Sequence, residues 1–192
     1  MSSRASLKSE LRKRLRERRR QLTAEQQHIA ANGIVEQFTT LPELASATRI
    51  ALYYAVDGEV STAPLAQWAR DNGKQPYLPV VEGESLRFAE WQSDSQLTAN
   101  QFGIGEPPAD IERVDARALD ILCLPLVGWN RNGVRLGMGG GYYDRALERA
   151  PRPVTVGLAH SCQEVEELPK DSWDITLDWV MTESERLRCS EG

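Results

Sequence analysis

Apolar residues near the beginning of the chain recur with the spacing of an amphipathic helix. Leu7, Leu11 and Leu15 stand four positions apart, and Leu22 extends the row. This spacing places the leucines on one face, which is typical of a helix packed on a larger body. The pattern therefore predicts a helix over about residues 5–22.

A second helix follows directly. Thr23 and Gln26 have the spacing of a capping box, in which each residue's side chain bonds the other's backbone N–H. We expect the helix to run from there to about Phe38, with Gly33 as a weak point inside it, because glycine is a poor helix former. Ser61 or Thr62 with Pro64 has the composition of another helix start.

Runs of apolar or alternating residues between the helical stretches predict strands. They cover residues 49–55, 75–81, 85–91, 119–127, 153–159 and 177–182. The run 119–127 is almost continuously apolar, as expected of a central parallel strand that is buried on both faces. Residues 183–192 are polar, and we expect them to be frayed.

Strands that alternate with helices predict an α/β fold. We expect residues 1–192 to form a single domain, a three-layer sandwich around a mostly parallel, twisted, Rossmann-like sheet. The length of 192 residues and the 41% of hydrophobic residues agree with one domain that buries a substantial core.

A cluster of glycines lies between the strand 119–127 and a predicted helix over residues 143–149. The glycines are Gly137, Gly139, Gly140 and Gly141. Without Cβ atoms, such a loop can turn its backbone N–H groups toward an anion, and a following helix adds its positive N-terminal end. The loop is therefore a candidate phosphate site, with a turn that binds no ligand as the alternative.

Two charged residues beside the loop favour the phosphate interpretation. The guanidinium of Arg135 suits phosphate oxygens, and the carboxylate of Asp144 is a ligand that Mg²⁺ accepts beside a nucleotide. The loop lacks the Gly-Lys-Ser/Thr of a Walker A motif, and it lies too late in the chain for the usual dinucleotide fingerprint.

Charge is distributed unevenly along the chain. Residues 1–20 carry nine Lys or Arg and two Glu, so the remainder must carry −12 to give the net charge of −5. A basic segment on an acidic body can serve nucleic acid, an anionic ligand or solubility alone. Lys8, Arg12 and Arg16 form a stripe beside the leucines, so their charged ends can converge along one edge of the packed face.

The remaining composition argues for a cytoplasmic, soluble protein. No apolar run approaches the ~20 residues that cross a bilayer, and no apolar segment of a secretion signal follows the N-terminal arginines. Cys123, Cys162 and Cys189 lack the spacing of a zinc site or a disulfide framework.

The glycine-rich segment also resembles a known family signature. Residues 135–145 read Arg-Leu-Gly-Met-Gly-Gly-Gly-Tyr-Tyr-Asp-Arg, which is similar to the signature of the 5-formyltetrahydrofolate cyclo-ligase family, also called methenyltetrahydrofolate synthetase. Shorter stretches are similar to other motifs of this family: Lys-x-x-Leu-Arg at 8–12, Glu-Val-x-Thr at 59–62 and Phe-Gly-Ile-x-Glu-Pro at 102–107. For the last, we prefer a loop shaped by Gly and Pro, with a wall of the folate pocket as the alternative.

The resemblance implies a reaction and its cofactors. 5-Formyltetrahydrofolate and ATP would give 5,10-methenyltetrahydrofolate, ADP and phosphate through a phosphorylated formyl intermediate, with Mg²⁺ bound beside the ATP. It also implies small-molecule substrates, no nucleic acid and no membrane, and we expect a monomer.

The resemblance further implies roles for individual residues. Those at the ATP would be Lys8, Arg12, Arg135, Gly137, Gly139, Gly140, Gly141, Tyr142 and Tyr143. Those at the folate would be Tyr54, Glu59, Trp129 and Met138, and catalysis would involve Glu59, Arg135 and Tyr142. The metal ligands would be Asp144 and Asp174, with Asp178 as the second choice for the latter.

Some of these residues have simpler interpretations. Glu59 could be a solvated loop carboxylate, and Trp129, where the family more often has Phe, could equally belong to the core. Two other functions also remain open: a nucleic-acid-binding module that uses the basic helix, and a nicotinamide-dependent dehydrogenase that uses the glycine loop. A nucleotide-binding α/β protein that acts on another acceptor is a further alternative.

Overall fold

The computed structural model describes residues 4–93, 96–171 and 174–189. The helices are α1 (Arg4–Arg20), α2 (Ala24–Phe38), α3 (Ala63–Asp71) and α4 (Tyr142–Ala146), with short 3₁₀ helices at Pro42–Ala45, Ala116–Ala118 and Ser161–Gln163. The strands are β1 (Arg49–Ala51), β2 (Gln75–Glu82), β3 (Ser85–Glu90), β4 (Thr98–Ala99), β5 (Gly105–Glu106), β6 (Arg113–Val114), β7 (Ile121–Pro125), β8 (Gly128–Trp129), β9 (Arg135–Leu136), β10 (Val154–Leu158), β11 (Trp179–Met181) and β12 (Arg186–Arg188).

The described residues build an eight-stranded central sheet in the order β12-β11-β10-β7-β1-β2-β3-β6. The pairs from β11 across to β2 are parallel, whereas β12, β3 and β6 are antiparallel to their neighbours. The predicted α/β fold around a mostly parallel sheet is therefore confirmed.

Alternate residues of the central strands enter two different cores. Ile121 and Cys123 of β7 face the core that α2 and α3 cover, whereas Leu122 and Leu124 face the core beneath α4. This alternation follows from the two-residue period of a strand. It explains why β7 is apolar at every position.

Helix α1 packs on the small β8–β9 hairpin. Leu11 and Leu15 are buried with Val127 and Leu136, while Leu7 is exposed. The predicted amphipathic helix is thus confirmed, although its leucine face is covered only toward its C-terminal end.

Several elements differ from the sequence prediction. Strand β1 ends at Ala51. Beyond it, the carbonyl oxygen of Tyr53 accepts a hydrogen bond from the Thr62 hydroxyl at 2.6 Å and not from a neighbouring strand. Helix α4 has only 5 residues and starts at Tyr142, so the expected contribution of a long helix dipole to the glycine loop is absent. The β8–β9 hairpin had no sequence prediction.

One further prediction was wrong, and one glycine has a packing role that the sequence did not indicate. Within the tail expected to be frayed, β12 pairs with β11, and the guanidiniums of Arg186 and Arg188 stack on Trp179 at 5.0 and 5.7 Å. Residues 190–192 lie outside the described residues. Gly33 is a site of close packing, since a Cβ there would lie 2.5 Å from the carbonyl oxygen of Glu183.

Candidate active site

A cleft of about 1250 Å³ lies at the carboxyl ends of the central strands. The chain leaves β1 for β2 on one side of it and later returns to place β7 on the other side. Such a reversal of strand order leaves a crevice outside the strand ends, where α/β proteins bind ligands. The loop that follows β1 and the carboxyl end of β7 both line this cleft.

The glycine loop forms one wall of the cleft, and α1 holds it in place. Arg12 donates a hydrogen bond from Nε to the carbonyl oxygen of Gly137 at 2.8 Å. Gly139 has a φ of 100°, which disfavours any side chain, and a Cβ there would lie 3.4 Å from the Arg12 guanidinium. Gly140 and Gly141 also face the cleft.

Arg135 and Asp144 form an ion pair beside the glycine loop. The guanidinium NH2 of Arg135 lies 2.5 Å from Oδ1 of Asp144, and its NH1 donates to the carbonyl oxygen of Ile175. The side chain of Arg135 is 7% exposed, so the pair lies at the inner end of the cleft. Strand β9 orients Arg135, while the first turn of α4 orients Asp144.

Lys8 forms a second set of ion pairs in the same cleft. Its Nζ lies 2.7 Å from Oδ2 of Asp171 and 3.0 Å from Oδ2 of Asp174. Burial by itself lowers the pKa of Lys8, but these two carboxylates outweigh it and raise the pKa above its ordinary value. Sequence reasoning missed Asp171, which has no distinguishing motif.

Glu59 lies in the loop after β1 and faces the cleft from a nearly buried position, with 8% of its side chain exposed. Its Oε2 accepts a hydrogen bond from the Val56 backbone N–H at 3.1 Å. Burial raises the pKa of the Glu59 carboxyl above its ordinary value, and this hydrogen bond acts in the opposite direction. Glu59 is therefore not a solvated loop carboxylate.

Aromatic and apolar side chains line the mouth of the cleft. Tyr54, Phe102 and Met138 are 41%, 55% and 54% exposed, which is unusual for large apolar groups. Phe102 meets the ring of Tyr142 edge to face at 6.2 Å, and the guanidinium of Arg145 lies 4.9 Å from the centre of the same ring. The segment that sequence reasoning preferred as a simple loop, 102–107, thus contributes a wall of the cleft.

Tyr143 lines the inner part of the cleft. Burial raises the pKa of its hydroxyl far above the ordinary value, and the nearby carboxylate of Glu59 adds to the shift. The hydroxyl therefore stays protonated at any physiological pH and can act as a hydrogen-bond donor.

Two residues named from the sequence lie elsewhere. Trp129 is fully buried in the core, and its Nε1 has no hydrogen-bond partner among the described residues. The β8–β9 hairpin turns the indole ring of Trp129 into the core, so the structure agrees with the interpretation of Trp129 as a core residue. Asp178 accepts hydrogen bonds from the backbone N–H and the hydroxyl of Thr155, both at 2.8 Å, and lines a separate cleft at the amino end of β10.

The donors for a metal ion are limited to carboxylates in different elements. Within the described ranges, no group of three or more His, Cys, Asp or Glu residues has the geometry of a metal site. Asp144 and Asp174 both line the cleft, and each is already paired with a cation. Two carboxylates fit Mg²⁺, which commonly takes one or two carboxylates together with substrate phosphates.

The basic helix uses many of its cations within the protein. Arg16, Arg19 and Arg20 all contact Asp57, and Arg12 bonds the glycine loop. This arrangement disfavours a basic helix reserved for nucleic acid. The 5-residue α4 likewise disfavours a dinucleotide site, which uses the N-terminus of a longer helix after the first strand. No helix in the described part of the chain has the length and apolar character needed to cross a membrane.

Comparisons with known proteins agree with the sequence resemblance. Residues 4–183 match the family model described as the 5-formyltetrahydrofolate cyclo-ligase family. Curated 5-formyltetrahydrofolate cyclo-ligases of Haemophilus influenzae and Escherichia coli K12 are each 41% identical over 176 residues, covering 88% of this chain and 94% and 97% of theirs.

Solved structures are similar over nearly the whole chain. The 5,10-methenyltetrahydrofolate synthetase of Aquifex aeolicus has a TM-score of 0.84 at 37% identity and covers 97% of this chain and 94% of its own. The Mycoplasma pneumoniae protein of the same name, at 24% identity and a TM-score of 0.75, shares the fold and covers 92% of this chain and 98% of its own.

Proposed function

The chain belongs to the 5-formyltetrahydrofolate cyclo-ligase family, and from this membership we propose that it converts 5-formyltetrahydrofolate and ATP into 5,10-methenyltetrahydrofolate, ADP and phosphate. The proposal includes a monomeric, cytoplasmic enzyme that acts on small molecules without nucleic acid. The observation that carries it is that a glycine loop with cations and an apolar, aromatic mouth with a buried carboxylate lie side by side in one cleft.

The glycine loop end of the cleft suits the triphosphate. Backbone N–H groups of residues 137–141 and the charges of Lys8, Arg12 and Arg135 would hold the phosphates and neutralise the charge that develops on the transferred group. Lys8 and Arg135 would have to leave their carboxylate partners to do so. Asp144 and Asp174 would then hold Mg²⁺, which would supply positive charge to stabilise the phosphates.

The aromatic mouth suits the folate. Tyr54, Phe102, Met138 and Tyr142 would pack against its rings, and Glu59 would accept hydrogen bonds from its N–H groups. An acceptor held in place by a backbone hydrogen bond can orient the ring and the formyl group toward the phosphate end.

The chemistry then requires positioning more than covalent participation by the protein. The formyl oxygen attacks the γ-phosphorus, the bond to the bridging oxygen breaks, and ADP leaves. N10 attacks the formyl carbon of this phosphorylated intermediate, loses its proton, and the carbon–oxygen bond breaks to release phosphate as the ring closes. Each step gains from holding the two substrates at a fixed distance in one cleft.

The test is the appearance of methenyltetrahydrofolate absorbance when the purified protein meets 5-formyltetrahydrofolate, Mg²⁺ and ATP. We expect product only when ATP is present, with one ADP formed for each product molecule. Folded protein that binds ATP without forming product would contradict the folate assignment and leave a nucleotide site that serves another acceptor.

A further inference from the structure

Arg19, near the C-terminal end of α1, is a completely buried cation at 0% exposure. Its Nε donates to the carbonyl oxygen of Asp57 at 2.8 Å, and its NH1 donates to the carbonyl oxygen of Leu126 at 3.0 Å. One guanidinium therefore joins the loop after β1, which lines the cleft, to the residue that follows β7. A buried charge requires such a full set of partners.

The same guanidinium also reaches Glu59. Its NH2 lies 2.9 Å from Oδ2 of Asp57 and 3.6 Å from Oε1 of Glu59. Asp57 has two other cations, Arg16 at 2.7 Å from Oδ2 and Arg20 at Oδ1. Because three cations share the negative charge of Asp57, Arg19 can also interact with the carboxylate of Glu59.

The loop that carries Glu59 is packed closely against α1 beside Arg19. Asp57 and Gly58 have φ angles of 55° and 77°, which turn the chain tightly against α1. A Cβ on Gly58 would lie 3.1 Å from the carbonyl oxygen of Arg19. The backbone of the loop is therefore close to the backbone of α1. We expect the direction of the Glu59 side chain to depend on the contacts that Arg19 makes with this loop.

The other groups around Glu59 do not supply a closer charge. Burial has the largest effect on the pKa of Glu59. The charge of Asp57 raises this pKa further, and the charge of Arg16 on α1 lowers it, both by less than burial does. Tyr53, just beyond β1, and Tyr143 of α4 face it as neutral hydroxyls, since burial raises the pKa of both. Val56 contributes only a backbone N–H.

We propose that Arg19 is the positioning residue of Glu59: it fixes the direction of the carboxylate and supplies the positive charge that keeps this group ionised in a nearly buried place. The inference rests on the proposed function, in which Glu59 accepts hydrogen bonds from the folate. Arg19 itself touches neither substrate in this account.

The test compares Arg19→Met with Arg20→Met, a neighbour on the same helix that also contacts Asp57 but is 50% exposed. The measurement is the pH dependence of kcat/KM for 5-formyltetrahydrofolate, together with the KM for ATP. Losing a cation close to a carboxylate raises the carboxyl pKa, so we expect the acid limb of Arg19→Met to move up by about 1 pH unit. At pH values below the acid limb of the wild type, the folate kcat/KM should fall about tenfold, with the ATP KM within about twofold of wild type.

Arg20→Met should leave the acid limb in place. An unmoved limb in folded Arg19→Met would overturn the inference and leave Arg19 as a purely structural tie. If Arg19→Met does not fold, Arg19→Lys and Arg20→Lys replace the pair. Lysine keeps the charge but not the forked geometry, so only Arg19→Lys should raise the folate KM, and equal values in both variants would overturn the inference.

Glu59→Gln separates this inference from the proposed function. If the Gln variant loses folate turnover and its acid limb, the role of Glu59 stands, and the Arg19 result then decides the positioning role alone. If Glu59→Gln behaves as wild type, the folate role of Glu59 fails and the positioning role of Arg19 fails with it. Absence of product from the wild-type protein would instead overturn the proposed function.

Discussion

At the scale of single residues, several charged side chains of the cleft form ion pairs. Arg135 faces Asp144, and Lys8 faces Asp171 and Asp174. Because each cation would leave its carboxylate to bind a phosphate, binding exchanges one charged partner for another.

Replacing Arg135 tests the phosphate role. We expect Arg135→Ala to raise the ATP KM and to lower turnover about 100-fold, because a preorganised donor at the transferred phosphoryl group is lost. The matched control is Arg131→Ala in the nearby hairpin turn, since Arg131 is exposed and pairs with Glu164 and Glu185 on the surface. Steady-state kinetics with both substrates varied would measure the effect, and equal constants in the two variants would rule out the role.

Some site residues could be predicted from the sequence because they lie in short motifs. Arg135 and Asp144 flank the glycines, and Lys8 and Arg12 follow from the stripe on α1 together with the resemblance. Arg19, Asp57 and Asp171 could not be predicted. Lys8 and Asp171 are 163 residues apart, and only the tertiary fold makes them partners. The position of Trp129 depends on a hairpin that the sequence does not indicate.

At the scale of elements, the attachment of α1 depends on the ionised side chain of Asp57. Burial by itself raises the pKa of this carboxyl, but hydrogen bonds from Arg16, Arg20 and Arg19 bring it down to about 2 from an ordinary 3.8. A carboxyl whose pKa is lowered in the folded state stabilises that state at pH values above its unfolded pKa. The shift corresponds to about 2 kcal/mol of the free energy of unfolding.

We therefore expect the attachment of α1 to weaken as the pH falls from about 4 to 2. The measurement is urea unfolding of the wild-type protein and of Asp57→Asn, whose residue tolerates the left-handed backbone at this position. The wild type should be more stable at pH 5, and the difference should shrink at pH 3. A difference that does not change with pH would contradict the account.

The packing of α2 gives a prediction opposite to that from helix propensity. Gly→Ala within a helix normally stabilises by roughly 1 kcal/mol. At Gly33, however, a Cβ would meet the backbone of Glu183 at 2.5 Å, and backbone cannot swing aside. We expect Gly33→Ala to lower the free energy of unfolding by about 1–3 kcal/mol. Glu36→Ala, exposed on the same helix, is the control and should have little effect; stabilisation by Gly33→Ala would contradict the packing.

Long periodic elements were predictable and short ones were not. The leucine stripe of α1 and the capping box of α2 involve residues that are close in sequence, so each predicts its helix from a local pattern. Both predictions are confirmed. Strand β12 has a polar sequence. It forms because it can pair with β11 and because its Arg188 can stack on the ring of Trp179. Such partners lie outside any local pattern, so composition alone predicted a frayed end.

At the scale of the whole molecule, large apolar groups exposed in the described structure lie mainly in the cleft. Tyr54, Phe102 and Met138 line it, whereas Leu7 and Ile29 stand apart. Stable dimers usually bury a larger continuous apolar surface. We expect a monomer of 21.5 kDa by light scattering, and a concentration-dependent rise toward twice that mass would contradict it.

The ion pairs of the cleft have a consequence for the choice of anion. A bare anion would take Lys8 and Arg135 and leave Asp144 and Asp174 unpaired in a half-buried place, which is costly. When an anion binds together with a divalent cation, the anion pairs with Lys8 and Arg135 while the divalent cation pairs with the two carboxylates. No charge is then left unpaired. We therefore expect free orthophosphate to compete poorly, so that the phosphate formed in each turnover leaves readily. Calorimetry should detect ADP with Mg²⁺ and little heat from orthophosphate; tight binding of metal-free phosphate would refute this selectivity.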